Sequence, residues 1–404
     1  MNNINSLSKI NQKEKWTYVI FAFTLFIYLF IFTLKSSTYS FYYPNLPVSK
    51  VYLLSIEIIT ILGIITMRNF SSLELVFFMF AYIIAFLSYY LSHSFLGLMC
   101  VSIAFFAKDK NTKKILQIYF ILILFNLLFV IFSYFIHVIP QISYTREGSV
   151  NRNSWGFLHP NTLSLYILAL NVVFYFIKSL GRLAWKDLWL VLFSTFITLY
   201  YSKSYTTSII LLIILFSIFI SINSKPVMYA EFELFKKYSF LKYLTFFFIF
   251  VLLISYIFFV WKNPTNNVVS ALGSTISSRL LMGNEGLHWY GISLFGQPVN
   301  FVDSSYIVLN RAYSYSTYFT VDSLYIKLLI NEGLFVGFIF LFFIFRALMK
   351  SIESNKLIFL IILSLLIYSI FETGLSSPIL SYVVAYAFSD GYVKIKATKG
   401  GKNK

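Results

Sequence analysis

Two separated stretches of the chain gather the side chains that could hold an anion. The first, Tyr144 to Asn161, reads YTREGSVNRNSWGFLHPN and carries Arg146, Arg152 and His159. It ends in His159-Pro160-Asn161, where a long apolar run begins. Proline suits the first turn of a helix, because the N–H it lacks has no intrahelical partner there. A helix is therefore expected to start at this point, and the partial positive charge of its free amides makes that end a ready anion site. The second stretch lies much later, around Arg279 and Arg311. Arginine's planar fork grips phosphate or carboxylate at two points, which lysine does not. The two stretches read as halves of one phosphate-binding site.

The elements that must position these residues are apolar. Of 404 residues 59% are hydrophobic and only 12% charged, a composition that no soluble domain has. In a soluble protein the net charge of +17 would suggest nucleic acid. Here the basic residues sit mostly in short loops between apolar runs, so they set topology, and no nucleic acid is expected as a partner. About twelve segments are long enough, or nearly so, to cross a bilayer as helices. They run roughly 16–34, 48–66, 71–90, 93–107, 115–137, 159–179, 187–201, 205–222, 243–261, 321–346, 357–372 and 377–392. The first follows Lys9, Lys13 and Lys15 and is too long for a signal-peptide core, so it reads as an uncleaved span.

With the N-terminus inside, 23 basic residues fall in inner segments and eight in outer ones, while Lys327 lies within a span. The positive-inside rule then puts both termini in the cytoplasm. Cation type sharpens the asymmetry: 20 of 25 lysines are inside, whereas four of seven arginines are outside. Those four, Arg146, Arg152, Arg279 and Arg311, fall in the two longest outer loops, 138–158 and 262–320. Chance placement of so few residues competes with the functional explanation, an anion bound on the outer face. The second loop is too long for a connector and is expected to hold short helices of its own. No repeat, low-complexity run or soluble domain interrupts the chain, which reads as a single all-α membrane domain over 1–404.

Other chemistry-bearing residues are sparse. His93, His137, His159 and His288 are scattered without a metal-binding spacing, and no nucleotide cradle is visible. Cys100, the single cysteine, lies in an apolar run and reads as a small buried residue. Asp322 stands at the head of the 321–346 span, either as a helix cap or as a reacting carboxylate. Glu332 falls deeper in that span, where a lone carboxylate is costly without a partner. Lys327 and Glu332 are five residues apart, too far round an ideal helix to pair, so each is expected to face a polar cavity. Glu57 is likewise mid-span and Glu372 stands at an outer helix end; pairing within the bundle is the alternative for all of these. Tyr313, Tyr315, Tyr318 and Phe319 precede a span and read as interfacial anchors, or as faces on which sugar rings stack.

Three stretches carry a family resemblance. Arg152–Asn161, RNSWGFLHPN, is similar to the arginine, glycine-aromatic and HPN pattern of bacterial capsule polymerases. Ser277-Ser278-Arg279 with Leu294-Phe295-Gly296 is like that family's small-small-Arg followed by Phe-Gly. Residues 321–337, VDSLYIKLLINEGLFVG, look like its polar pair followed by Glu-Gly-Leu. The chain thus resembles the Wzy-type polysaccharide polymerases of the O-antigen polymerase and ligase group. The resemblance implies a GT-C-like bundle in the bacterial cytoplasmic membrane that transfers a growing glycan from undecaprenyl pyrophosphate to a lipid-linked repeat unit on the outer face. It implies a glycosyltransferase needing no metal or other cofactor, because the donor arrives activated. Arg152, Arg279, Arg311, Arg146, Asn161 and Glu332 would bind substrate, and Asp322 or His159 would take the hydroxyl proton. Membrane lipids, a flippase and a chain-length regulator are the implied partners. Related ligases often show His-Asn where this chain has Asp322-Ser323, so a base at that position must here be a carboxylate. The alternatives are a ligase of the same group, passing finished glycan to another acceptor, and a lipid-oligosaccharide flippase or transporter.

Overall fold

The computed structural model describes residues 2–66, 70–142, 144–146, 150–180, 183–223, 239–262, 274–302 and 318–390. Helices α1 (Asn2–Lys35), α2 (Val48–Ile65), α3 (Ser72–Ser92), α4 (Leu96–Ala107) and α5 (Thr112–Phe135) come first. A hairpin, β1 (Tyr144–Arg146) and β2 (Val150–Arg152), leads into α6 (Pro160–Ser179). Then follow α7 (Leu188–Tyr200), α8 (Tyr205–Asn223), α9 (Ser239–Trp261) and α10 (Ser274–Tyr290). Last among the described residues come α11 (Leu324–Lys327), α12 (Leu334–Ser354), α13 (Lys356–Phe371) and α14 (Tyr382–Phe388).

Each of the twelve predicted runs contains helix, but their lengths divide them. Among the described residues eight helices are long and apolar enough to cross a membrane, which makes this an all-helical, multi-pass membrane protein. The runs predicted at 93–107, 187–201, 357–372 and 377–392 fold as shorter helices of 12, 13, 16 and 7 residues. At 1.5 Å per residue a helix of a dozen residues reaches only ~18 Å, well short of the ~30 Å hydrocarbon core. Every residue of α4 and of α14 is buried, so their apolar character answers to helix neighbours and not to lipid. Gly97, Cys100, Ser102, Ala104 and Ala107 keep α4 thin, and α2, α3 and α14 pack round it. Close packing of small residues is what associates helices where lipid supplies no hydrophobic drive.

Local signals set several helix ends. Ser71 and Glu74 form a reciprocal capping box at the start of α3. Asn111 caps α5, and Asn355 caps α13 while donating to the Ser179 carbonyl at 2.7 Å. That last bond brings the end of α6 to the start of α13, so these two helices run antiparallel.

The 321–346 span is not continuous. α11 ends in a π-helical turn, Leu328–Glu332, and the chain breaks at Gly333 before α12. Gly333 takes φ +89° and packs so tightly on the 294–296 backbone that a Cβ there would lie 2.2 Å from the Gly296 nitrogen. Leu334 and Phe335 N–H groups donate to the Ser293 and Leu294 carbonyls at 2.9 and 3.1 Å, stitching the break to the segment after α10. A second, smaller core of Val260, Leu280, Leu287, Phe319, Val321, Ile326 and Ile330 joins α9, α10 and α11. This core carries α10, which lies in the 262–320 stretch, against the main bundle.

Candidate functional site

At the end of the bundle where α6 begins and α13 ends, a cavity of about 570 Å³ is lined by Arg152, His159, Asn161, Arg279, Asp322 and Glu372. Five of these six were expected from the sequence as site residues; Glu372 was seen only as a carboxylate at a helix end.

The hairpin delivers the first half. Its register sets Arg152 opposite Tyr144, whose ring meets the His159 ring edge-on at 4.9 Å and whose hydroxyl donates to the Leu158 carbonyl. The strip beyond the hairpin is clamped to the end of α1, with Thr38 N–H donating to the Gly156 carbonyl and Leu158 N–H to that of Ser36. Arg152 donates through Nε to the Ser202 carbonyl at 3.0 Å and through a terminal nitrogen to Asn161 Oδ1 at 2.6 Å. Asn161 Nδ2 reaches Glu372 Oε1 at 3.5 Å. Asn161 is therefore the link between the hairpin arginine and the later half.

The start of α6 differs from expectation. His159 is the N-cap, and its Nδ1 accepts from the Asn161 amide at 3.1 Å. The amides of Thr162 and Leu163 donate to the His159 carbonyl, and Pro160 has none to offer. The free amides that were to bind an anion are satisfied by the cap itself, so side chains must do the binding. The cap also fixes the imidazole: with the Nδ1 lone pair engaged, the remaining proton sits on Nε2. Burial, then Arg152 and Arg279, lower the His159 pKa to about 3, which keeps the ring neutral. His159 is thus built as a hydrogen-bond donor, and a base role, expected as an alternative to Asp322, does not fit this geometry.

α10 delivers the second half. Arg279 donates to the Phe371 carbonyl at 2.7 Å and to Glu372 Oε1 at 2.9 Å, and its Nε lies 3.0 Å from Asp322 Oδ2. Burial acts to lower the pKa of Arg279, but the two carboxylates outweigh it and raise it. Asp322 stands just before Ser323, which holds the N-cap position of α11, and forms an ion pair with Arg279. Glu372 lies just past the end of α13. Burial raises its pKa to about 7, Arg279 opposes the rise and Asp322 reinforces it. Arg279 donates two of its five guanidinium hydrogens, to Phe371 and Glu372, and pairs with Asp322 through Nε, so donor capacity remains for an incoming oxyanion.

Glu332 does not belong to the cavity. It closes the π-helical turn, where Oε1 accepts from Ser94 at 2.6 Å and from Asn331 at 3.1 Å, while the Ser88 hydroxyl donates to its carbonyl. Its expected substrate contact is corrected to a tie between the break at Gly333 and the α3–α4 turn. Lys327, by contrast, does line the cavity. Arg146 pairs with Val150 in the hairpin register, and Arg311 lies outside the described residues. Among the described residues no group of three or more His, Cys, Asp or Glu is arranged to hold a metal.

Comparison with family models, with curated proteins and with solved structures finds no match for this chain.

Proposed function

We propose that this protein is a polysaccharide polymerase of the cytoplasmic membrane, moving a growing glycan from a polyprenyl pyrophosphate to a lipid-linked repeat unit. The observation that carries the reading is the joining of Arg152, Asn161, Arg279, Asp322 and Glu372 in one cavity at a helix-bundle end. Two arginines from distant parts of the chain face a space large enough for sugar rings. Two carboxylates accompany them, one of them held near neutral pH.

In the reaction the acceptor hydroxyl oxygen bonds to the anomeric carbon of the donor, and the bond from that carbon to the pyrophosphate oxygen breaks. The hydroxyl proton passes to Asp322, the more open of the two carboxylates, with 29% of its side chain exposed against 12% for Glu372. The departing pyrophosphate takes up the remaining donors of Arg279, with Arg152 and the His159 Nε2–H completing its contacts. Fixed positive charge aimed at a leaving group is worth most where water is scarce. Glu372 sets the charge of the site: when it takes a proton, the arginines keep a net positive charge for the anion. The cavity lies on the outer face in this reading. Lys108, Lys110, Lys178, Lys350 and Lys356, at or beyond the opposite helix ends, support that orientation through the positive-inside rule.

The test is reconstitution. Purified protein in lipid vesicles, given undecaprenyl-pyrophosphate-linked repeat units, should yield a ladder of glycan lengths and free undecaprenyl pyrophosphate in equal molar steps. Failure to consume the lipid-linked donor in either leaflet orientation would remove the reading. A single transfer to a non-glycan acceptor would identify a ligase instead.

A further inference from the structure

The cavity holds a third cation that the pyrophosphate reading leaves unused. Lys327, the last residue of α11, lines the cavity. Its Nζ lies 5.0 Å from the centroid of the Phe301 ring. Among the described residues no carboxylate lies within ion-pair distance of it, in contrast to Arg279, which has two. Glu332 is near enough to sense its charge, but its Oε1 is taken by Ser94 and Asn331 and the two form no ion pair. An ammonium lining a polar cavity without a counter-charge is placed for an anion that arrives with the ligand.

Its surroundings say what kind of anion. Phe301 is fixed, not loose: Val302 and Phe319 exchange backbone hydrogen bonds at 2.8 and 3.0 Å, and the Phe301 and Phe319 rings lie parallel within 6°, 6.1 Å apart. Phe301 and Tyr318 also line the cavity, beside the hydroxyls of Ser278 and Thr320. Aromatic faces and hydroxyls suit a sugar ring, and a cation over the same aromatic face suits an acidic group carried on that ring. Arg279, at the other anion pole, comes with two carboxylates attached; Lys327 does not.

We infer that Lys327 and Phe301 form a subsite for a carboxylate borne on a sugar of the glycan, so that the substrate is an acidic saccharide. The inference rests on the polymerase reading for the ligand being a glycan. Lys327 here sets specificity and takes no part in bond breaking.

The experiment measures binding to the full-length protein in lipid nanodiscs, using D-glucuronate, its uncharged methyl ester, and inorganic pyrophosphate as probes. Wild-type protein should bind glucuronate about tenfold or more tighter than the ester, the worth of one charge-assisted hydrogen bond. Lys327→Gln should erase that preference and Lys327→Arg should keep most of it. Pyrophosphate binding should fall in Arg152→Gln and stay unchanged in Lys327→Gln. Equal binding of acid and ester by the wild-type protein overturns the proposal without any variant having to fold. So does a Lys327→Gln protein that loses pyrophosphate as severely as Arg152→Gln, since Lys327 then belongs to the pyrophosphate pole. Retained glucuronate preference with no pyrophosphate binding in any form sustains the subsite and sinks the polymerase reading instead.

Discussion

Arg279 and Glu372, 93 residues apart in the chain, meet at 2.9 Å and so tie α10 to the end of α13. The same guanidinium holds Asp322 on its other side, so one arginine fixes the spacing of two carboxylates. Asn161 extends the chain of contacts from Glu372 to Arg152. A change at any of the five should be felt at the others, and the effects should not add.

Arg152→Lys and Arg279→Lys keep the charge and lose the fork. Lysine cannot serve both the Ser202 carbonyl and Asn161 as Arg152 does, nor bridge two carboxylates as Arg279 does. Each variant should lower the rate of polymer formation about a hundredfold, on the order of 3 kcal/mol of lost leaving-group stabilisation. Rates measured at matched protein levels check this, and near-normal polymer from both variants rules out the arginine role.

Asp322→Asn removes a proton acceptor while leaving Arg279 its bonds to Glu372 and Phe371. It should abolish turnover of lipid-linked repeats with binding retained. His159→Gln should be milder, because a neutral donor is replaced by a neutral donor. The reverse ranking moves the base to His159, and an inactive Glu372→Gln beside an active Asp322→Asn moves it to Glu372.

The pH dependence of stability carries the mark of His159. Its folded pKa of about 3 lies below the ordinary histidine value of 6.5, so in the unfolded chain it binds a proton that the folded chain refuses. Its effect is therefore absent above pH 6.5, and stability falls as pH drops from 6.5 toward 3, by at most ~1.4 kcal/mol per pH unit. His159→Gln should flatten that slope, read as the difference in melting temperature between wild type and variant in detergent from pH 4.5 to pH 7. Parallel curves would show that His159 titrates normally.

Gly333→Ala should fail for a backbone reason. Its methyl group would meet the Gly296 nitrogen at 2.2 Å and the Phe295 carbonyl carbon at 2.6 Å, with φ at +89°. The loss should be on the order of 3 kcal/mol or more, seen as poor yield and a sharply lowered melting temperature. A melting temperature near that of the wild type would show that the break at Gly333 can relax.

Orientation is open to direct labelling. Cysteines introduced as Ser149→Cys and Ser304→Cys should react with an impermeant thiol reagent on intact cells. The native Cys100 is buried and adds little background. Protection of both until the cells are opened would invert the assignment.

The apolar runs by themselves determined the class of molecule and the placing of its helices, because a bilayer admits few other ways of satisfying a backbone. They also separated arginine-bearing stretches from lysine-bearing ones, and so pointed to Arg152 and Arg279 before any contact was known, while Asp322 was singled out by its place at the head of a span and by the family resemblance. Hydropathy could not tell a helix that faces lipid from one that faces protein. α4 is apolar because neighbours surround it, and only the packing reveals that it faces protein throughout. Nor could hydropathy see the break at Gly333, which depends on the close approach of Gly296 from another segment. Glu372 was one acid among several until α10 brought Arg279 to it. The helix start at Pro160 promised free amides, and the fold gave them to His159. Sequence carries the identity of charged groups, but which of them pair depends on how the bundle brings distant elements together, and that is where the site is decided.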